Sequence, residues 1–203
     1  MHINILSPSQ KILLPLLKKF RSNFYLVGGT AIALHIGHRK SIDFDLFTKK
    51  ELRPQTIENQ IQRGNFSVEQ VFVSTADEYT CLVDGVRLSF VSFPFSIVAE
   101  EDMKGIIQMP NLLHLSAMKA YALGRRAKWK DYVDMYFLLR DHFSLEMISH
   151  EAERIFGGSF NSRVLREQLI WFEDMDYSET VEFLPRKSVS KEEIQAFLKK
   201  VVR

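Results

Sequence analysis

Between Phe24 and Phe47 the chain reads FYLVGGTAIALHIGHRKSIDFDLF: an apolar run, a glycine pair, a short helical pattern, then a strand alternating acid with hydrophobe. Phe24–Val27 has strand character and ends at Gly28-Gly29, and Thr30–Ile36 reads as the first turns of a helix capped by Thr30. Adjacent glycines let the chain turn without a Cβ penalty and leave backbone N–H groups, at the positive end of a helix, facing an anion. In Ile42-Asp43-Phe44-Asp45-Leu46-Phe47 the twofold strand period buries Ile42, Phe44 and Leu46 and turns Asp43 and Asp45 to the opposite face. Two carboxylates held side by side repel each other unless a cation sits between them. Hard oxygen ligands of this kind suit Mg²⁺, with phosphate oxygens completing the shell. The plainer alternative is an edge strand carrying two surface acids; the glycine pair upstream and the apolar strands on both sides favour the metal reading.

The surrounding pattern predicts an α+β fold, a mixed β-sheet flanked by helices with a helical C-terminal half. Ser9 to Arg21 reads as an amphipathic helix that packs Ile12, Leu13, Leu16, Leu17 and Phe20, and Pro54 to Arg63 as a second helix with proline in its first turn. Phe66–Ser74, Tyr79–Val83 and Val86–Phe93 have strand character, with Asp84-Gly85 as a hairpin turn. From Leu112 the period changes to that of helices, roughly Leu112–Arg126, Lys130–Asp141 and Leu145–Phe156, with a last one over Lys191 to Val202. The expected division is residues 1–110 as an α/β core and 111–203 as a helical region that completes its site, or else one continuous domain. Gly157-Gly158-Ser159 is the best candidate linker and Pro185-Arg186-Lys187-Ser188 the next.

Composition narrows the function classes. A net charge of +2 implies no global field for nucleic acid, so any basic surface is local. One cysteine, Cys81, excludes an intramolecular disulfide and a cysteine-based metal cluster, and its strand-like setting makes it core rather than nucleophile. No apolar stretch has the length of a membrane span and the first residues lack a secretory pattern, so no membrane partner and a cytoplasmic location are expected. Walker-type G-x-x-x-x-G-K-[ST], zinc-type H-E-x-x-H and hydrolase-type G-x-S-x-G patterns are absent.

A second constellation is basic. Lys119, Arg126 and Lys130 are separated by seven and four residues. If one helix continues through Gly124, at about 100° per residue they fall within roughly 40° of one another, on one face. Such a face could neutralise a triphosphate whose metal the acids hold; the alternative is a solvated helix end where cations favour the negative pole of the dipole. Asp131 and Asp134 either orient those cations, act on an acceptor, or form ordinary surface ion pairs. His38 and Arg39 are candidate phosphate contacts and Ser41 a hydroxyl at the start of the acidic strand, while His35 is expected to pack on the short helix.

These residues carry a resemblance. Gly28-Gly29-Thr30 followed by Asp43-Phe44-Asp45 resembles the hG[G/S]…Dh[D/E]h signature of the DNA polymerase β-like nucleotidyltransferase superfamily, and the fuller string GGTAIALHIGHRKSIDFDLF is similar to the AbiEii/AbiGii toxin family. Met118-Lys119, Arg125-Arg126 and Lys130-Asp131-Tyr132-Val133-Asp134 resemble that family's downstream Lys…Arg…Lys-Asp…Asp block, so the likeness covers roughly residues 20 to 140. It implies a nucleotidyltransferase core over residues 1–110, and NMP transfer from an NTP to an acceptor hydroxyl with release of pyrophosphate. In it Gly28, Gly29, Thr30, Arg39 and Ser41 contact the nucleotide, Asp43 and Asp45 hold Mg²⁺ (or Mn²⁺), Lys119, Arg126 and Lys130 face the triphosphate, and Asp131 orients the acceptor or acts as base. It implies tRNA or other RNA as acceptor and a cognate antitoxin protein as partner. The superfamily's third carboxylate sits on a later strand; the corresponding strand, Val86–Phe93, offers Ser89, which supplies a hydroxyl and no charge. Two other readings follow: a nucleotide- or partner-binding module that has lost the chemistry, and a nucleotidyltransferase that modifies a protein.

Overall fold

A computed structural model describes all residues from Met1 to Arg203 and divides them into two compact units. The first comprises residues 1–36 and 40–111; the second, residues 37–39 and 112–203.

In the first unit, α1 (Pro8–Ile12) starts at a capping box in which the Ser7 hydroxyl accepts from the Gln10 amide N–H and the Gln10 side chain accepts from that of Ser7. The single helix expected over Ser9 to Arg21 is in fact two, because Pro15 has no N–H to donate to the carbonyl four residues back. A break at Leu13 separates α1 from α2 (Leu14–Phe20), and the rotation leaves Ile12 exposed while Leu13, Leu16, Leu17 and Phe20 are buried. Then come β1 (Tyr25–Val27), α3 (Gly28–Ile36), β2 (Phe44–Thr48), α4 (Pro54–Gln62), β3 (Gln70–Ser74), β4 (Glu78–Val83) and β5 (Val86–Ser92). Five strands form one sheet in the order β1-β2-β5-β4-β3, antiparallel throughout except for the parallel pair β2–β5. Asp84 and Gly85 both adopt positive φ, +47° and +68°, as a two-residue turn of the primed type requires. One face of the sheet is the core: Leu26, Phe44, Leu46, Tyr79, Cys81, Leu88 and Phe90 have no exposed surface, in company with Leu13, Leu16 and Leu17 from the helices. Burial pushes the Cys81 thiol up to about 12, so it packs and does not attack. A short hairpin, β6 (Glu101–Met103) and β7 (Ile107–Met109), closes the unit; it lay outside the predicted strands.

The second unit contains α5 (Leu112–Leu123), α6 (Trp129–Asp141), α7 (Leu145–Phe156), α8 (Ser162–Ile170) and α9 (Lys191–Val202). Ser144, Asn161 and Ser190 cap the last three through side-chain oxygens that accept backbone N–H bonds. Gly157–Ser159 forms a 3₁₀ turn between α7 and α8 inside this unit, where the sequence suggested a linker. Between α8 and α9 the chain crosses the unit as a strap held by isolated bridges, Asp176 with Lys128 and Phe183 with Arg39. Residues 171–183 of that strap carry five acids and no Lys or Arg.

Candidate active site

Asp43 and Asp45 lie on the side of the β2 segment opposite the core. Phe44, Leu46 and Thr48 are buried, and the two acids are half-buried. Ile42, expected in the core, is 67% exposed because the strand begins only at Phe44 and the alternation has not yet set in. Asp45 is paired with Val27 on one side and with Ser89 on the other. Directly paired residues of neighbouring strands point to the same face, so the Ser89 hydroxyl stands beside Asp45 where the superfamily pattern has an acid.

Helix α3 starts at Gly28, immediately after Val27, without the Thr30 cap the sequence suggested. A Cβ added to Gly28 would lie 2.0 Å from Oδ2 of Asp45, and its φ of +74° is one that L side chains rarely adopt. Glycine is therefore required twice over, once for the turn and once for the close approach of the carboxylate. Thr30 is buried and its hydroxyl donates to the carbonyl oxygen of Asp43, with the Ser41 hydroxyl 2.8 Å away. Thr30 and Ser41, predicted as nucleotide contacts, thus form a clip that fixes the backbone entering β2.

The chemistry of this donor set suits a metal that arrives with its substrate. No group of three or more His, Cys, Asp and Glu side chains that could hold an ion is present. Two half-buried carboxylates with a neighbouring hydroxyl fit a Mg²⁺ that takes its remaining ligands from phosphate oxygens and water.

The basic block is built differently from the prediction. α5 ends at Leu123, before Gly124, and α6 starts at Trp129, so Lys119, Arg126 and Lys130 do not share one helix. Lys119 is buried, with Nζ 2.6 Å from Oδ1 of Asp131 and 3.0 Å from Oδ2 of Asp134. Arg126 reaches Asp131 Oδ2 through Nε at 2.9 Å. Arg39 donates to both oxygens of Asp134, at 2.6 and 2.9 Å, and Nε2 of His38 lies 2.7 Å from Oδ1. Asp131 and Asp134 have no exposed surface. Burial opposes ionisation of Asp134, but the charges of Arg39 and Lys119 and the bonds from His38 and Arg39 outweigh it and hold the carboxyl well below its ordinary range. Asp131 is likewise held low against burial, by Lys119 and Arg126.

This arrangement reassigns several residues. Asp131, read as a group that orients the acceptor or acts as base, is buried and ionised, and its two oxygens accept from Lys119 and Arg126. Arg39 and His38, read as phosphate contacts, are committed to Asp134. Burial lowers the basicity of His38 despite Asp134 beside it; the ring is neutral, its Nε2–H donates, and its Nδ1 is buried without a partner. The Lys130 side chain is 21% exposed, and it pairs with Glu179 of the strap, as does Lys128. Asp134 orients a cation of the block, Lys119, as one of the sequence readings had it; its hold on Arg39 and His38 and the partnership of Glu179 were missed. The Asp131/Asp134 spacing of three on a helix face was the available signal for the first; nothing local pointed to the second. Tyr132 is core, its hydroxyl donating to the carbonyl of Gln168, whereas Trp171 is exposed.

The family described as nucleotidyl transferase AbiEii toxin of type IV toxin–antitoxin systems matches residues 13–203. An uncharacterized protein of Aquifex aeolicus is 28% identical over 156 residues, 75% of each chain. Among solved structures, the nucleotidyltransferase toxin MenT4 of Mycobacterium tuberculosis superposes with a TM-score of 0.65 at 14% identity, over 96% of this chain and 81% of the other. A putative nucleotidyltransferase from Helicobacter pylori gives 0.57 at 15%, over 96% and 91%. At such identities the likeness is one of fold. The match along nearly the whole sequence carries the assignment: the chain belongs to the AbiEii family of nucleotidyltransferase toxins.

Proposed function

We propose that the chain transfers a nucleoside monophosphate from an NTP to an acceptor hydroxyl and releases pyrophosphate, with Mg²⁺, or Mn²⁺ in its place, bound by Asp43 and Asp45. The observation that carries this reading is the contact between Gly28 and Asp45. The first backbone groups of α3 and the Asp45 carboxylate lie within one side chain's reach, so Asp43 and Asp45 would hold the ion while the N–H groups of Gly28 and Gly29 would be offered to phosphate oxygens. When bound, the ion polarises the phosphate and neutralises developing charge. The chain's own residues do the positioning: Thr30 and Ser41 fix the approach to β2, and Ser89 donates or accepts a hydrogen bond beside Asp45. Within the second unit, Asp131 holds Lys119 and Arg126 and Asp134 holds Arg39 and Lys119, and Arg126 and Lys130 are the cations offered to a triphosphate.

RNA, with tRNA ends favoured, is the acceptor class, a cognate antitoxin the protein partner, and the cytoplasm the compartment that supplies NTP and tRNA. No helix is long and apolar enough to cross a membrane. One observation favours a second reading: Ser89 in place of the third acid removes a charge that helps activate the attacking hydroxyl, as expected of a module that binds nucleotide without turnover. Incubation with each of four α-³²P-labelled NTPs, Mg²⁺ and total tRNA or cell extract decides between them. Label on RNA, lost in Asp43→Asn and Asp45→Asn, is the expected result; label on protein identifies a protein acceptor, and nucleotide binding without pyrophosphate release identifies the module.

A further inference from the structure

The second unit holds a cleft outside the residues assigned to nucleotide and metal. Its volume is about 320 Å³, at the small end of the roughly 300–1,000 Å³ that ligand clefts span. It lies between the C-terminal end of α5, the Gly157–Ser159 turn and the first turn of α8, and no acidic side chain lines it. One wall is a stack. The rings of Phe156 and Tyr121 have centroids 4.2 Å apart and lie 25° from parallel, and the guanidinium carbon of Arg125 stands 3.6 Å from the centroid of Tyr121. Two flat groups that close to one ring centre would collide on the same side, so they take opposite faces of Tyr121. The guanidinium is the last layer of the stack, and Arg125 is exposed.

That layer is fixed at two points. One Nη group of Arg125 donates to the carbonyl oxygen of Tyr121 at 3.1 Å and the other to that of Ser159 at 3.3 Å. Carbonyls accept hydrogen bonds without carrying a countercharge, so the guanidinium presents a positive charge with no carboxylate against it. Across the cleft, Oδ1 of Asn161 caps α8 by accepting from the N–H groups of Arg163 and Val164, which leaves the Nδ2 group to donate elsewhere.

We propose that this cleft is a base-stacking subsite for single-stranded RNA, in which an unpaired nucleobase lies on the outer face of the Arg125 guanidinium as the fourth layer of the stack and the Asn161 amide donates to its edge. Every base has a flat π-face, so such a platform binds with little sequence preference, and a cation within the stack attracts the ring as well as the strand's phosphates. The proposal rests on the transfer reading for what the subsite serves, a foothold for the RNA acceptor. Arginine is required there for its plane, since lysine carries the same charge without a face. The plainer role for Arg125, a cation closing the negative end of α5, needs charge and no plane.

The probes are a five-nucleotide oligoadenylate, an abasic ribose-phosphate strand of the same length, and AMP, each titrated calorimetrically into the full chain. Arg125→Lys weakens oligoadenylate binding about fivefold, as expected for the loss of one stacked base, and leaves binding of the abasic strand unchanged. Val164→Phe fills the cleft with Arg125 still in place and weakens oligoadenylate binding as well. Urea midpoints of both variants match the wild type, because both residues are exposed. A 2-aminopurine base in the strand is quenched on binding to the wild type and not on binding to Arg125→Lys. Equal losses for the oligoadenylate and the abasic strand reduce Arg125 to a charge and overturn the stack, as does oligoadenylate binding that is absent or unaltered in both variants. AMP bound as tightly as the strand, with the same dependence on Arg125, overturns RNA as the ligand in favour of a free nucleotide. Label transfer and pyrophosphate release are measured alongside. Transfer to RNA by the wild type, with strand binding indifferent to Arg125 and Val164, sinks the subsite and spares the transferase. Strand binding that depends on both, in a chain that releases no pyrophosphate from any NTP, spares the subsite and sinks the transferase.

Discussion

Asp43 and Asp45 stand half-buried on a sheet face, whereas Asp131 and Asp134, one helical turn apart on α6, have no contact with water. Both pairs are acids at strand or helix spacing, and in the sequence both sit beside residues that suggest catalysis. Their settings separate them. The helical pair is surrounded by Lys119, Arg39, Arg126 and His38, so its charge is already compensated and its hydrogen-bonding capacity used. Removing one partner there exposes the cost of burying the others. The sheet pair borders the start of a helix and a serine hydroxyl, and it is here that a metal with phosphate is proposed. A buried, compensated charge is framework; a half-buried cluster of like charges is a place for a ligand.

The sharpest way to break this contrast is to neutralise each pair in turn. Asp43→Asn or Asp45→Asn lowers nucleotidyl transfer by about a thousandfold or more, since metal and charge neutralisation carry most of the catalysis in such reactions. Stability, read by urea denaturation, moves by less than about 1 kcal/mol. Asp134→Ala does the reverse. It leaves Arg39 and Lys119 in the interior with one carboxylate fewer, and destabilises the chain by about 3–5 kcal/mol, seen as a large drop in urea midpoint. A mutant of Asp134 that folds normally would show the helical pair to be dispensable framework.

Gly28→Ala tests the link between helix start and acid. The new methyl meets Asp45 at 2.0 Å in a backbone conformation that suits glycine, so either the carboxylate moves or the turn does. Transfer falls by about 10–100-fold and stability by about 1–2 kcal/mol. Unchanged pyrophosphate release in that variant would detach the glycine from the site.

Titration sharpens the comparison on the framework side. Burial keeps His38 neutral in the folded chain, below its ordinary value, while the unfolded chain takes up a proton as pH falls below about 6.5. The folded state therefore loses stability as pH falls through that range, by at most about 1.4 kcal/mol per pH unit. Asp131 and Asp134 are depressed in the folded state, so their contribution is complete above about pH 4 and is lost as pH falls further. Urea midpoints against pH then show a plateau at neutral pH and two successive declines, and His38→Gln removes the upper one. The smallest effect belongs to the exposed pair Arg163–Glu167, whose side chains are 86% and 61% exposed. Arg163→Gln shifts stability by less than about 0.5 kcal/mol, in contrast with the buried Lys119, which pairs with both Asp131 and Asp134.

Regular elements were legible where a turn residue or cap closed them. Asp84-Gly85 announced the β4–β5 hairpin, Ser144 and Ser190 precede helices predicted at the positions where they occur, and alternation on β2 placed Phe44, Leu46 and both acids correctly. The β6–β7 hairpin was hidden because three-residue strands are too short to show a period, and α8 because its apolar positions are few. The break at Gly124 carried no stop signal stronger than one glycine, so a continuous cationic face could be drawn that the fold does not contain. At the site, the Gly-Gly and Asp-x-Asp positions were readable because their geometry is local. The fates of Arg39, Lys119 and Glu179 were not, since each depends on a partner chosen by tertiary packing: Arg39 meets a residue 95 positions downstream.

That long reach has a consequence for synthesis. Residues 37–39 leave the ribosome early, but the helical unit that encloses them cannot be completed until α6 has also emerged. Until then His38 and Arg39 remain hydrated, and a nascent chain halted near position 111 holds a sheet and no helical unit. A separately translated 112–203 fragment would be left with Asp134 facing an interior from which Arg39 is missing. The chain is therefore a poor candidate for splitting between residues 111 and 112.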